Sequence, residues 1–275
     1  MENDETKRPR GRPRSAHTSG QTETVQALDR GLQVLKELAR LGSSTLADLS
    51  VAAKLPASTT HRILGTLQHH GFVQFNQNTQ QWAIGIEAFR IGSAYLVRSN
   101  LVEAAIETMR ELMEQTGETA NLAIADNGDV VFIGQVETNN PIRAFFQPGT
   151  RSNMHASGIG KALLANMRRS QVEKILEEKG LPAFTEQSIT TAEQLFEDLE
   201  LTRTRGWSLD DEERFSGMRC VGAGIFNSYG DVIAGVSISG PTARLTDGQL
   251  EKLGSQVRQA ADAVTQAIGG KPPPN

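Results

Sequence analysis

TLADLSVAAKLPASTTHRILGTLQHHGFVQFNQNTQQWAIG, from Thr45 to Gly85, changes its apolar period twice, and those changes decide the fold of the first third of the chain. In TLADLSVAAKL, Leu46, Leu49 and Ala53 recur at helical spacing behind Thr45, a residue type that caps helix starts. Leu55-Pro56 makes a turn, because the residue before proline is pushed out of the helical region. ASTTHRILGTLQHH carries a second apolar stripe, Ile63, Leu64 and Leu67, and Gly71 closes it. FVQF and WAIG then flank the polar turn NQNTQQ and read as a hairpin. Upstream, Val25, Leu28, Leu32, Leu35, Leu38 and Ala39 predict a helix between Thr24 as cap and Gly42 as stop. Three helices followed by a hairpin spell a winged helix-turn-helix, whose third helix enters a major groove.

The third helix opens with Ser58, Thr59, Thr60 and Arg62 on the side away from its apolar stripe. Short hydroxyls and an arginine near a helix start suit phosphate anchoring and base-edge contacts, although Ser58 also suits capping. His61, His69 and His70 read as surface or packing residues, and zinc is not expected, because one cysteine and five scattered histidines offer no ligand spacing.

Charge supports two partners. Lys and Arg outnumber Asp and Glu 12 to 8 over residues 1–98, whereas residues 99–275 carry 16 against 24. A basic front on an acidic remainder points to double-stranded DNA as partner of the front part. Residues 7–14, KRPRGRPR, cannot build a core, and their centre (Arg10 and Arg12 around Gly11) is similar to an AT-hook that lies in a narrow minor groove. The same run also fits a merely solubilising tail. The composition, 38% hydrophobic and 22% charged over 275 residues, is that of an ordinary globular protein. With no long apolar run, no secretory h-region and a single cysteine, the chain is expected in the cytoplasm, without a membrane partner.

QALDRGLQVLKELA, LADLSVAAKLPASTTHRILGTLQHHGFV and WAIGIEAFRIGSAYL resemble the N-terminal domain of IclR-type bacterial transcriptional regulators. The resemblance continues through GETANLAIADNGDVVFIGQVE, MHASGIGKALLA, RGWSLDDEERFSGMRCVGAGIF and VSISGPTARLT, and so spans nearly the whole chain. It implies a homodimer or dimer of dimers, a palindromic operator, and a GAF-like domain whose small effector controls DNA affinity. The expected class is α+β. A basic tail (1–21) precedes a winged helix-turn-helix (22–86), a linker helix (87–99) and a GAF-like antiparallel-sheet effector and oligomerisation domain (100–270). In the last of these Asn100 caps a helix ended by Gly117, and a DNGD turn joins two strands.

Three stretches of this second domain bear on a pocket. In HASGIGKALLA, Ser157 and Gly158 precede a helix start with Lys161 in its first turn, which reads either as an anion site or as a tight start capped by Ser157. In RCVGAGIF and AGVSISG, period two puts Cys220, Gly222 and Gly224 on one face and Gly235, Ser237 and Ser239 on another. If Asn227 pairs with Val232, Cys220 faces Ser239, Gly222 faces Ser237 and Gly224 faces Gly235. A face of small residues leaves room for a ligand, or for a helix packed very close. The resemblance favours the ligand. In the glyoxylate- and pyruvate-responsive members, effector contacts fall at positions matching Ser157, Gly158, Ile159, Asp210, Cys220, Ser237 and Ser239, with Ile238 counted among them. Ile159 replaces a smaller residue and is expected to narrow the pocket, with Phe145 and Phe146 as walls. The implied effector is a small 2-oxo acid such as glyoxylate or pyruvate, its carboxylate on the N–H groups of Gly158 and Ile159. No cofactor is implied. The rival reading makes Cys220 a hydrolase nucleophile with His155 as base. No nucleophile signature surrounds the thiol, so the chain is expected not to be an enzyme.

Overall fold

The computed structural model describes residues 24–99 and 101–272, so Arg10, Arg12 and Asn100 lie outside the described residues. Two compact units divide near Ala94 and Tyr95.

The first unit begins with α1 (Gln26–Leu41), entered at Val25 rather than capped by Thr24 and closed by Gly42 at φ 73°. The helical period holds, but the buried face is Val34 and Leu38, while Val25, Leu28 and Leu32 are exposed. A two-residue strand, β1 (Ser43–Ser44), precedes α2 (Leu46–Ala52), where Thr45 accepts the Asp48 N–H at 3.3 Å, a working N-cap. Then come α3 (Ala57–His69), β2 (Val73–Asn76) and β3 (Gln81–Ile84), the last two forming the antiparallel wing. β1 joins the far side of β3, an edge strand that two serines gave no sign of. Val34, Leu38, Leu49, Leu64, Val73 and Trp82 close one small core. α4 (Ile86–Ser99) follows.

The second unit is an antiparallel six-stranded sheet with helices on both faces, an α+β arrangement. In chain order it runs α5 (Leu101–Thr116), β4 (Thr119–Asp126), β5 (Asp129–Val136) and β6 (Arg151–Asn153). A 3-10 turn (Met154–Ala156) leads into α6 (Gly158–Ala165), α7 (Arg169–Lys179) and α8 (Ala192–Arg205). β7 (Ser208–Asp211), β8 (Met218–Phe226), β9 (Val232–Pro241) and α9 (Leu250–Ala267) complete it. The strand order is β6-β5-β4-β9-β8-β7, which places β9 beside the first hairpin. That hairpin turns at Asn127 and Gly128, both at positive φ, the combination a two-residue turn requires. α5 and α9 bury Leu112, Val221, Val236, Ile238 and Val257 on one face. On the other, α6 and α8 enclose Phe132, Ile159, Leu163 and Leu199.

The expected register of the last hairpin is observed in its body: Cys220 faces Ser239, Gly222 faces Ser237 and Gly224 faces Gly235. The closing pair is Phe226 with Val232 instead of Asn227 with Val232, because a bulge between Ile225 and Phe226 absorbs one residue at the turn.

Candidate functional site

In the first unit, α3 starts at Pro56 without any side-chain cap, so its opening N–H groups are not taken by a capping side chain. Ser58 stands inside the helix rather than capping it. Ser58 and Arg62 are exposed and Thr59 is half-buried, all in the first turns of α3. Thr60 departs from the sequence reading. It is fully buried, and its hydroxyl donates to the Pro56 carbonyl at 3.2 Å, so it locks the turn into the helix and cannot reach a groove.

In the second unit, the small-residue face is divided between two uses. α6 lies directly on most of it: a Cβ added to Gly222 would stand 2.6 Å from the Gly158 carbonyl carbon, and one on Gly235 would stand 2.7 Å from Ile159 Cγ2. Close helix packing, not ligand space, therefore explains Gly222 and Gly235. Ile159 is wholly buried in that packing, so its bulk fills the interior rather than narrowing a pocket. The Cys220 end of the face opens into a cleft, lined by Ser157, Asp210, Cys220 and Ser239 together with Phe132, Phe146, Arg214 and Phe215, while Gly224 at the far end borders a separate crevice. Its free volume is about 30 Å³, room for roughly two waters. Phe132 and Phe146 stack 4.4 Å apart and form one wall, whereas Phe145 is exposed to solvent. Ile238 offers a ligand nothing. Its side chain lies in the opposite core, and its backbone sits between Ala120 and Val221 in the sheet.

The polar floor is built by residues far apart in sequence. Asn121 donates to Ser239 Oγ at 3.2 Å and to Ser237 Oγ at 3.5 Å, and accepts from Gln135 at 2.8 Å. Ser239 donates to the Cys220 thiol at 3.2 Å. Asn121 and Gln135 were missed by the sequence reading, although a polar side chain inside the apolar run TANLAIAD was a usable signal.

Cys220 is not set up as a nucleophile. Burial pushes its thiol up from the ordinary value and the neighbouring Asp210 adds to this, against hydrogen bonds from Ser239, Ser237 and the Gly158 N–H. His155 is turned away, with Nε2 3.1 Å from the Pro182 carbonyl, and burial lowers its pKa. At the start of α6, Ser157 takes the Gly160 N–H at 3.3 Å, so the capping reading of Ser157 is realised. Lys161, 0% exposed, is paired with Glu213 and with Asp198 at 3.2 Å.

Asp210 pairs across the sheet with Cys220 and is almost buried. Its Oδ1 accepts the Glu213 N–H at 2.9 Å, and the Arg214 N–H also points to it, so the carboxyl ties down the loop that follows β7. Desolvation raises its pKa to about 6, against the pull of Lys161, and raises that of Glu213 to about 7 for the same reason. A second crevice, about 100 Å³ between α6, α8 and α9, contains none of the expected residues.

Residues 27–77 match the family described as "IclR helix-turn-helix domain", and residues 93–266 match "Bacterial transcriptional regulator IclR C-terminal". The chain is 46% identical over 260 residues to the HTH-type transcriptional regulator BhcR of Paracoccus denitrificans, covering 92% of both chains. It is 43% identical over 264 residues to the transcriptional repressor IclR of Escherichia coli, covering 95% of this chain and 96% of that one. The crystal structure of the Thermotoga maritima IclR superposes with a TM-score of 0.75 at 26% identity, over 90% of this chain and 100% of the other.

Proposed function

The chain belongs to the IclR family of DNA-binding transcriptional regulators and is not an enzyme, and from that premise we propose that it is a repressor whose hold on a palindromic operator is set by a small 2-oxo acid, with glyoxylate first and pyruvate second. In this reading residues 22–86 read DNA through Ser58, Thr59 and Arg62, residues 87–99 link, and residues 100–270 sense the acid and oligomerise. The genes controlled would serve glyoxylate or glycolate assimilation.

The observation that carries the proposal is the cleft where α6, β7, β8 and β9 meet. It is small, and it gathers the hydroxyl of Ser239 and the thiol of Cys220 beside a helix start. With room for about two waters, it admits a ligand of a few heavy atoms only by widening, and nothing larger. At a ceiling of about 1.5 kcal/mol per atom, the five atoms of glyoxylate hold a Kd no tighter than about micromolar, a useful range for a metabolite sensor. The acid acts by population shift, binding one arrangement of the protein better than another and so changing how the two recognition helices of a dimer meet their half-sites. The shift equals the difference in its affinity for the two states and no more.

The test is a fluorescence-anisotropy titration of the full chain on DNA from upstream of its own gene, with and without saturating glyoxylate or pyruvate. Operator affinity should change at least tenfold with one of the acids. If neither moves it, the coupling is refuted.

A further inference from the structure

Affinity for DNA that does not depend on sequence comes from phosphates neutralised by Lys and Arg, and the folded reading head of this chain brings few of either. Residues 22–98 hold seven Lys or Arg against five Asp or Glu. Two of the seven are paired at 2.8 Å with an acid of their own helix, Arg40 with Glu37 and Arg90 with Glu87. α3 contains one arginine, Arg62, and no lysine. Thr60 adds nothing, because its hydroxyl is turned into the helix. The wing is poorer still, since the sequence from Phe72 to Gly85 has no charged residue. Such a head can read base edges through α3, yet it has little hold on the backbone.

The missing charge stands just ahead of it in the chain. KRPRGRPR, residues 7–14, carries five Lys or Arg in eight residues. Glu2, Asp4 and Glu5 precede the run, and no acid occurs from Thr6 to Thr22. The order of these residues is as informative as their charge. Pro9 and Pro13 hold φ at about −65° and bias Arg8 and Arg12 away from the helical region. Gly11 has no side chain to keep a backbone off a groove floor. An extended, arginine-bearing segment fits the minor groove over A·T pairs, which is narrow, strongly negative and free of the guanine 2-amino group. Residues 15–23 separate the run from the described start of the head at Thr24, and nine residues span up to about 30 Å. The minor groove beside an occupied major groove is half a turn away, about 17 Å along the axis, so the tether is long enough.

We propose that residues 7–14 are a second DNA-binding element, in which Arg10 and Arg12 enter the minor groove of A·T base pairs flanking the half-site held by α3, while Lys7, Arg8 and Arg14 lie against phosphates. This rests on the reading that α3 holds an operator half-site, and it adds a preference at base pairs outside that half-site. A tail that only keeps the protein soluble needs the charge, but neither the order of residues nor a preference for A·T.

Fluorescence anisotropy on the full chain tests this at several salt concentrations, on the site that footprinting locates upstream of its own gene. The flanks of that site are made A·T, G·C or inosine·C. Inosine·C keeps the major-groove face of G·C but lacks the 2-amino group, so its minor groove is that of A·T. Wild type should bind G·C flanks about tenfold more weakly than A·T flanks and recover to within about twofold on inosine·C. The double variant R10A/R12A should bind all three within about twofold, with a salt slope lower by about two per protomer. Unchanged affinity and slope in R10A/R12A overturn the proposal. So does a wild type indifferent to its flanks, even where R10A/R12A binds more weakly, because that pattern is phosphate contact alone. If neither protein protects a site on that DNA, the operator reading falls and takes this one with it.

Discussion

Replacing Gly222 by alanine separates the two uses of the small-residue face. Its Cβ would lie 2.6 Å from the Gly158 carbonyl carbon, 2.7 Å from the Gly158 oxygen and 2.8 Å from the Ile159 nitrogen, all backbone atoms. Carbon atoms rest at about 3.5–4.0 Å, so the start of α6 must retreat by roughly 1 Å. Overpacking of this kind costs about 1–3 kcal/mol, set against about 0.5–1 kcal/mol recovered by leaving glycine in a strand. At about 2–4 °C per kcal/mol for a unit of this size, the melting midpoint should fall by up to about 10 °C, and most where the backbone of α6 cannot give. The displacement also shifts the start of α6, which borders the cleft at Ser157, so acid affinity should drop with it. Gly224→Ala is the control. Its Cβ would meet only side chains, Val232 at 3.2 Å, Phe226 at 3.3 Å and Asn166 at 3.5 Å, which can turn aside, and its midpoint should stay within about 2 °C of wild type. Differential scanning fluorimetry and calorimetry with glyoxylate make both comparisons. If Gly222→Ala melts with wild type, the face is open space and the packing argument is wrong.

Four further perturbations test other parts. The folded Asp210 carboxyl holds its proton up to about pH 6, against an ordinary 3.8, so the stability it contributes is complete below about 3.8 and is lost as pH rises through about 6. Asp210→Asn, which cannot ionise but still offers an oxygen to the Glu213 N–H, should gain on wild type by up to about 3 kcal/mol between pH 4 and 7 in urea melts; a pH-independent gap contradicts the assignment. Lys161→Met strands Glu213 and Asp198 without their cation and should cost about 3–5 kcal/mol, more at pH 8 than at pH 6, where Glu213 escapes by protonation; a loss under about 1 kcal/mol denies the cluster its structural role. Arg62→Ala should either lower the salt slope of operator binding by about one or cost about 1–3 kcal/mol at one base pair. Thr60→Ala should lower the melting midpoint and leave operator affinity alone, and a DNA defect in folded Thr60→Ala would restore that residue to the interface.

How much of this was readable beforehand depends on range. The helices and wing of the first unit follow from local period and turn chemistry, so α2, α3 and the hairpin stand where Thr45, Pro56 and Gly71 put them. The pairing of Cys220 with Ser239 was readable because side chains alternate strictly along a strand; the bulge at Ile225 was not, since a turn can absorb a residue without altering that alternation. Period alone could not tell which face of α1 is buried, because Leu28 and Leu32 fit the same stripe arithmetic as Val34 and Leu38. Nor could it tell a cleft from a helix seat, since both require small residues. That choice depends on where α6 lies, more than fifty residues upstream of Gly222. Asn121, Gln135 and Arg214 were missed for the same reason, as each becomes a site residue only through a contact made across the fold.

The charges around the cleft do not balance as a count of residues suggests. Asp198, Asp210 and Glu213 face Lys161 and Arg214, three acids to two bases, which looks hostile to an anion. Burial changes the sum. With Glu213 titrating near 7 and Asp210 near 6, the cluster holds part of a proton at neutral pH and is close to neutral overall. Lys161 is consumed in holding α6 to α8 and to the loop, so it is not free for a ligand. An arriving carboxylate raises the proton affinity of these buried acids, which ties binding to proton uptake near neutrality. A site built this way weakens gradually as pH rises and never binds a five-atom ligand tightly. That is the behaviour required of a switch that must release when the metabolite falls.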